Sequence, residues 1–438
     1  MLGAREGVSD IKRHLDSTFL ALRYRDYRLF AAGQAISVCG TWMQKVAQSW
    51  LVLELTDSGL MLGVTVAFQT MPTLLFTAFG GSLADRFDRR RILLATGVLG
   101  MLPALALGVV VRLDAVVLWM VLAAALFQGL VDALERPARM TLVNDIVVPR
   151  VLPNAVTLNN VIQNAGKLVG PAIAGVLIAT LGLAPAFFTN AASYVAVVIG
   201  LFLIRPAYVE ERAVGSRGSV RETLKYVSGR PELAASLTML AVIGVFGYNF
   251  QVLAPILIRD VFAGGATAVG LAFTLMGLGG VVGGLAFAGR IRGSAWSQLA
   301  TAGLFCVALI LTALAPTLWL AFGALFIMGA ANVVFSSASG AYLQLTSDRH
   351  MRGRTMALYI VALAGSSTIG GPLQGFIAEV TSARVALLVA ATVTALACAV
   401  MYRHLRARQA GTLTAKRSGP QEDDSGVAAP DTGSIDII

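Results

Sequence analysis

The chain has 438 residues, 56% of them hydrophobic and only 13% charged, and its mean hydropathy is +0.74. Soluble domains carry about 25% charged residues, so a deficit of this size excludes a soluble globular protein. The net charge of +10 would suit a nucleic-acid binder, but the positions of the basic residues assign it to membrane topology instead.

Apolar stretches of 18 or more residues recur from residue 29 to residue 402, each long enough to cross a ~30 Å hydrocarbon core as a helix. Twelve spans are predicted, at 29–53, 60–83, 92–111, 116–138, 158–180, 186–204, 233–257, 267–288, 296–315, 318–341, 355–378 and 384–402. The fold class is therefore an all-α polytopic membrane protein. Residues 1–28 form an N-terminal segment with no apolar core followed by a small-residue cleavage site, so no secretory signal is expected there.

Span one carries Gln34, Ser37, Thr41, Gln44, Lys45 and Gln48, which at 100° per residue fall within an arc of about 100°. Such a stripe on an apolar helix faces either a water-filled cavity or hydrogen-bonding partners on other helices. Lys45 favours the cavity, the alternative for it being to snorkel outward. After span two comes GGSLADRFDRRRI, with six charges in the seven positions from Asp85 to Arg91. Span four ends in QGLVDALERPAR, placing Gln128, Asp132 and Glu135 on one face. Span five opens with Asn160, Gln163, Asn164 and Lys167 on a shared face, so carboxylates and an ammonium could meet between the two helices. Asp132 is the leading proton-carrying candidate, because a partly buried carboxylate can be loaded and unloaded by changes in its surroundings. Its structural alternative is a fixed salt bridge to loop arginines. Glu135, next to Arg136, reads mainly as structural.

Residues 29–204 make a first six-helix bundle, and 205–232 a polar central loop in which Val220, Leu224 and Val227 mark a short amphipathic helix on the membrane surface. Residues 233–402 make a second bundle. Its span seven contributes Tyr248, Asn249 and Gln251, and span ten Asn332 and Ser336, as cavity candidates. Span eight, MGLGGVVGGLAFAG, has the small residues that let helices approach closely. Gly170-Pro171 in span five and Gly371-Pro372 in span eleven interrupt the helical ladder and permit bending. Residues 403–438 read as a disordered polar tail.

When alternate loops are assigned to opposite faces, 29 of the 34 Lys and Arg residues fall on the face of the two termini, against Arg112, Arg259 and Arg384 on the other. That split places both termini in the cytoplasm. GGSLADR recurs as GGLAFAGR about 202 residues later, Gly170-Pro171 recurs after 201, and Asp132 is matched by Asn332 after 200. The near-equal offsets indicate a duplicated six-helix unit, the plan of many secondary transporters. Cys39, Cys306 and Cys398 lie in apolar spans and suit neither a disulfide framework nor a metal site.

These residues carry a resemblance. Gly81-x-x-x-Asp85-Arg86-x-x-Arg89-Arg90 is similar to the loop 2–3 signature of the major facilitator superfamily, with Asp88 where a glycine is usual. RDYRLFAAGQAIS, ALERPARMTLVNDIV, NAVTLNNVIQNAGKLVGPAIAG and RGRTMALY resemble its bacterial efflux branch of macrolide and siderophore (enterobactin-type) exporters. Gly170-Pro171-x-x-x-Gly175 resembles the span-five motif of drug:proton antiporters, although their Arg-x-x-x-Gly motif in span four is missing.

The resemblance implies two pseudo-symmetric six-helix bundles and export of amphipathic small molecules in exchange for protons, in the bacterial inner membrane and without a cofactor; a monomer is expected because each six-helix half buries its polar faces against the other. It implies a cavity lined by Gln34, Thr41, Lys45, Gln48, Gln128, Asn164, Tyr248, Asn249, Gln251, Asn332 and Ser336. It also implies a conformational latch, with Asp85 near the start of span eleven and the arginines pairing with Asp132 or Glu135. Uptake or facilitated diffusion of a metabolite is the second reading. A membrane enzyme or sensor is a remote third, since His14, His350 and His404 all lie in polar segments and no catalytic cluster or P-loop is present.

Overall fold

A computed structural model describes residues 20–204, 220–287 and 293–417, and every regular element among them is helical. The spans, numbered in chain order, are Arg25–Thr56, Gly59–Arg86, Arg89–Arg112, Leu118–Ile146, Leu152–Leu181, Ala184–Leu203, Pro231–Val261, Ala266–Phe287, Ala295–Leu314, Leu318–Thr346, Arg352–Val380 and Ala383–Arg417. Eleven contain a stretch long and apolar enough to cross a membrane; the exception is span one. Its polar stripe lowers its hydropathy, yet its 32 residues make it as long as its neighbours and it packs between spans five and six.

Several helices outrun their apolar cores. Span four continues to Ile146 rather than stopping at 138, and span five begins at Leu152 rather than 158, with Pro153 in its first turn where a missing N–H costs nothing. Hydropathy marks where lipid ends, whereas the backbone ladder persists wherever charges can pair along the helix, as Glu135 and Arg139 do. The expected disordered tail is corrected in part: span twelve stays helical to Arg417.

Span seven was expected as one helix and is broken. Its first part ends at Gly247 and a second runs Phe250–Ile256, followed by a wide π turn at Leu257–Val261. At the break the Asn249 side chain donates to the Val245 carbonyl at 2.5 Å, taking the acceptor that its own backbone N–H would use. Pro255 then removes a further donor. The short helix expected in the central loop is Val220–Ser228, with Val227 buried against Leu233 and Leu343 and Leu224 exposed. Tyr226, Arg230 and Glu222 tie it to Asp348 and Arg354 at the end of the second bundle. The recurring motif at 283–290 lies partly outside the described residues.

The packing repeats between halves. In the first bundle span one packs on five and six, span three on four and six, and span two on four. In the second, span seven packs on eleven and twelve, span nine on ten and twelve, and span eight on ten. Adding six to each number maps the first set onto the second. The halves meet along span two with eleven and span five with eight, a pair of contacts that the same operation exchanges.

Glycines set those contacts. A Cβ on Gly63 would lie 2.2 Å from the Gly371 carbonyl oxygen, and one on Gly270 would lie 2.5 Å from that of Pro171. The closest approaches lie away from the termini-bearing, Arg-rich face, hereafter the basic face. Replacing Gly63 by Val overpacks this seam, an effect of about 1–3 kcal/mol. In a background lacking the native cysteines, Gly63→Val is expected to speed maleimide labelling of a Thr70→Cys probe from the opposite face several-fold. An unchanged rate would show that the seam does not hold that face shut.

Candidate functional site

A cavity of about 130 Å³ lies on the inner side of the first half, lined by Thr41, Gln44, Lys45 and Gln48 of span one, Gln69, Thr70 and Thr73 of span two, Gln128, Asp132 and Arg136 of span four, Asn190 of span six and, from the second half, Ala364 of span eleven. Arg136, Asn160, Asn164 and Lys167 are exposed although they lie within spans four and five. Groups of this polarity at membrane depth face water rather than lipid, so the cavity opens along these spans toward the basic face. Asp132 accepts a hydrogen bond from Gln128 Nε2 at 3.0 Å, and the same nitrogen also lies 2.9 Å from the Tyr194 hydroxyl.

The stripe on span one divides. Gln44 and Gln48 are 4% and 2% exposed. Asn190 Nδ2 donates to Gln44 Oε1 at 2.6 Å, Gln69 Nε2 donates to Gln48 Oε1 at 3.0 Å, and Gln48 Nε2 donates to the Val121 carbonyl at 3.1 Å. These two glutamines cross-link spans one, two, four and six at the cavity wall. Gln34 is buried nearer the basic face, where Arg139 reaches it at 3.5 Å while pairing with Glu135 at 3.0 Å. Only Thr41 and Lys45 are left half-buried over the cavity.

The expected meeting of Lys167 with a carboxylate does not occur: Lys167 lies over the Trp42 ring, as does Lys45. Asn164 donates back to the Asn160 carbonyl. Tyr248 sits edge-on to Phe305 and Phe335, and Asn249 is buried at the break in span seven. Gln251 and Asn332 are half-buried, and the Ser336 carbonyl accepts from Tyr359. None of Asn164, Tyr248, Asn249, Gln251, Asn332 or Ser336 lines the cavity of span one. Sequence reading missed Gln69, Thr73 and Asn190; the i, i+4, i+8 spacing of Thr65, Gln69 and Thr73 was the available signal.

The sequence matches the family described as transmembrane secretion effectors over residues 16–438. The chain belongs to that family of major facilitator transporters. It is 25% identical over 264 residues to the staphyloferrin A transporter of Staphylococcus aureus (strain NCTC 8325 / PS 47), covering 58% of this chain and 65% of that protein. It is 26% identical over 366 residues to the multidrug efflux pump Tap of Mycolicibacterium fortuitum, covering 80% and 88%. Its fold is similar to that of a bacterial homologue of the human lysosomal transporter Spinster in an inward-facing and occupied conformation, with a TM-score of 0.70, 14% identity and coverage of 87% and 97%. The chain is thus a multi-pass membrane protein of a transporter family and not an enzyme.

In this major facilitator chain the charged loop after span two anchors span three. Asp88, at the usual glycine position, caps that helix by accepting from the Arg90 and Arg91 amides at 2.8 and 3.3 Å. Arg89 pairs with Asp145 at 2.5 Å, so the acid is Asp145 at the end of span four rather than Asp132 or Glu135. Arg90 donates to the last carbonyls of span six, on Leu201 and Phe202. Arg86 and Asp85 are exposed, a Cβ on Gly81 would touch nothing within 4 Å, and Asp85 makes no ion pair among the described residues.

At the opposite face the halves are clasped by groups that sequence reading did not single out. Arg259 of span seven pairs with Asp57 and donates to the Leu53 carbonyl at 2.7 Å. Glu379 of span eleven accepts from Ser58 Oγ at 2.5 Å and from the Leu60 amide at 2.9 Å, at the start of span two. The Thr70 and Thr368 hydroxyls meet at 2.9 Å. Spans five and eleven run as helix through Gly170-Pro171 and Gly371-Pro372; in this conformation Gly170 admits span one, Gly175 admits Thr267, and Gly371 faces Gly63.

Asn190→Ala leaves the buried Gln44 oxygen without its donor, a loss of about 1–3 kcal/mol. The melting midpoint of the purified protein is expected to fall by several degrees, and Gln44→Leu combined with Asn190→Leu to recover much of it, because an apolar pair leaves no unmatched polar group. Scanning calorimetry of the three variants checks both.

Proposed function

We propose that the chain exports amphipathic small molecules from the cytoplasm in exchange for protons, by alternating access between its two bundles. The observation that carries this reading is the polar cavity of the first half, closed at one face by the Arg259 and Glu379 clasp and open toward the basic face, with Asp132 in its wall and in no ion pair among the described residues. The positive-inside asymmetry makes the basic face cytoplasmic, so this conformation is the one that receives cargo from inside. A relative named as a multidrug efflux pump supports an outward direction, and one named as a staphyloferrin A transporter supports a small-molecule substrate.

In the proposed cycle the clasp breaks, the basic-face ends of spans two and eleven close, and Asp85 docks at the start of span eleven. A carboxylate there meets unpaired helix amides, worth typically 0.3–1 kcal/mol, enough to bias an equilibrium without locking it. Asp132 takes up a proton in the outward-facing state and releases it to the cytoplasm in the state described above. The chain acts as a monomer in the inner membrane, since each half covers its polar faces with the other.

Efflux of a fluorescent dye from cells, with and without a protonophore, tests the reading. Wild type is expected to show protonophore-sensitive efflux, Asp132→Asn to lose at least about ten-fold at equal expression, and Asp85→Asn to slow it. Full retention of pH-driven transport by Asp132→Asn would remove that residue from the coupling step. Accumulation instead of efflux, with an inward proton gradient imposed on proteoliposomes, would replace export by uptake.

A further inference from the structure

Trp42, Lys45 and Lys167 form a group whose two positive charges have no ion-pair partner among the described residues. The Lys45 ammonium lies 4.8 Å from the centroid of the Trp42 ring and that of Lys167 lies 5.9 Å from it. The lysines come from different helices, and the meeting is enforced by packing. A Cβ on Gly166 would lie 2.2 Å from Val38 Cγ1, and one on Gly170 would lie 2.5 Å from the Cys39 carbonyl and 2.8 Å from Trp42 Cβ. Without side chains at these two positions span five seats directly on span one, one helical turn from Lys167 on one side and from Lys45 on the other.

Neither lysine forms an ion pair or hydrogen bond among the described residues. A ring face attracts an ammonium, but more weakly than a carboxylate does, and two cations at one ring repel each other. Arg136 lines the cavity with Lys45, and Lys167 is exposed beside them, at the Trp42 ring. Against these three cations stands Asp132 alone, because Glu135 is held by Arg139 at 3.0 Å. The remaining cavity wall is amide, hydroxyl and methyl groups. Unpaired cations at membrane depth are costly and mark a site that a counter-charge completes.

We propose that the cavity takes a dianion carried on a flat apolar body, with the two anionic groups reaching Lys45 and Lys167 and the body lying on Trp42. This rests on the reading of the cavity as the transport site and names its substrate class: aromatic or polyenic dicarboxylates and their sulfonate or phosphate equivalents, rather than the cationic amphiphiles that an acidic cavity would select.

The test uses full-length protein in nanodiscs of zwitterionic phosphatidylcholine, so that no lipid anion competes. Binding of 2,6-naphthalenedicarboxylate is compared by calorimetry with that of its isosteric, uncharged diamide. The dicarboxylate is expected to bind at least about ten-fold more tightly, with a preference that falls toward one in Lys45→Gln and in Lys167→Gln and survives in Lys45→Arg and Lys167→Arg. Because the readout is a ratio within one preparation, and the arginine variants test whether charge alone suffices, misfolding does not imitate the result. Equal affinities, binding of neither probe, or a preference untouched by the glutamine variants overturns the proposal. The dye-efflux experiment is scored separately. Proton-linked efflux without a dianion preference sinks this inference and leaves export standing, whereas a lysine-dependent dianion preference without proton-linked flux does the reverse.

Discussion

Contact between backbones that carry no side chain is the constraint from which the rest of the structure follows. Gly59 and Gly63 meet Gly375 and Gly371, and Pro171 and Gly175 meet Gly270 and Thr267, so the two halves touch along two narrow seams away from the basic face. A side chain in either seam would separate the halves and fill the space that the cavity occupies. In the proposed cycle the halves would rock at these seams, where small residues let the helices approach closely. Their polar trimmings differ. Glu379 caps span two across the first seam, whereas Ile178, the position 201 residues earlier, is buried and apolar on the second. The carboxylate that caps span two across the first seam thus has no counterpart at the equivalent position of the second.

The fold was legible because lipid imposes it. Hydropathy, charge asymmetry and the near-constant 200-residue offsets read directly as twelve helices in two related sets, and the helix pairings repeat as that reading requires. What hydropathy does not report is where a helix stops once it leaves the lipid. From Asp132 to Asp145 is 13 residues, about 20 Å along a helix. Ending span four at 138 placed Asp145 in a loop and left the nearer carboxylates as partners for the arginines. The helix in fact carries Asp145 out to Arg89.

The site was legible in composition and not in geometry. Periodicity put Gln44, Lys45 and Gln48 on one arc, yet residues adjacent in that arc have opposite fates: the glutamines are consumed by Asn190, Gln69 and Val121, and the lysine is left over the cavity. The difference lies in what the neighbouring helices present, which no spacing along span one encodes. Lys167 shows the same limit. Its helix face was legible, but its partner is an aromatic ring brought near by two glycines, not the carboxylate that its charge suggested. Asp88, which departs from the usual motif, was readable locally all along as a cap for the helix that starts one residue later.

Duplication copied the scaffold while the chemistry diverged, and the divergence has a direction. The ionisable groups that line the cavity, Lys45, Asp132 and Arg136, belong to the first half, with Lys167 beside Lys45 at the Trp42 ring, whereas the second half contributes only Ala364 to the lining. Asp132 and Asn332 stand 200 residues apart in equivalent spans. A second carboxylate at Asn332 would add another desolvated charge with no cation nearby to match it. With the charges confined to one bundle, the proposed rocking motion would carry them as a fixed set, so no cavity ion pair would have to break between the halves. The groups that must break lie at the clasp, on Asp57, Arg259 and Glu379, near the surface where water can replace each partner. That division keeps the strong interactions inside a rigid body and leaves the exchangeable ones at its edge.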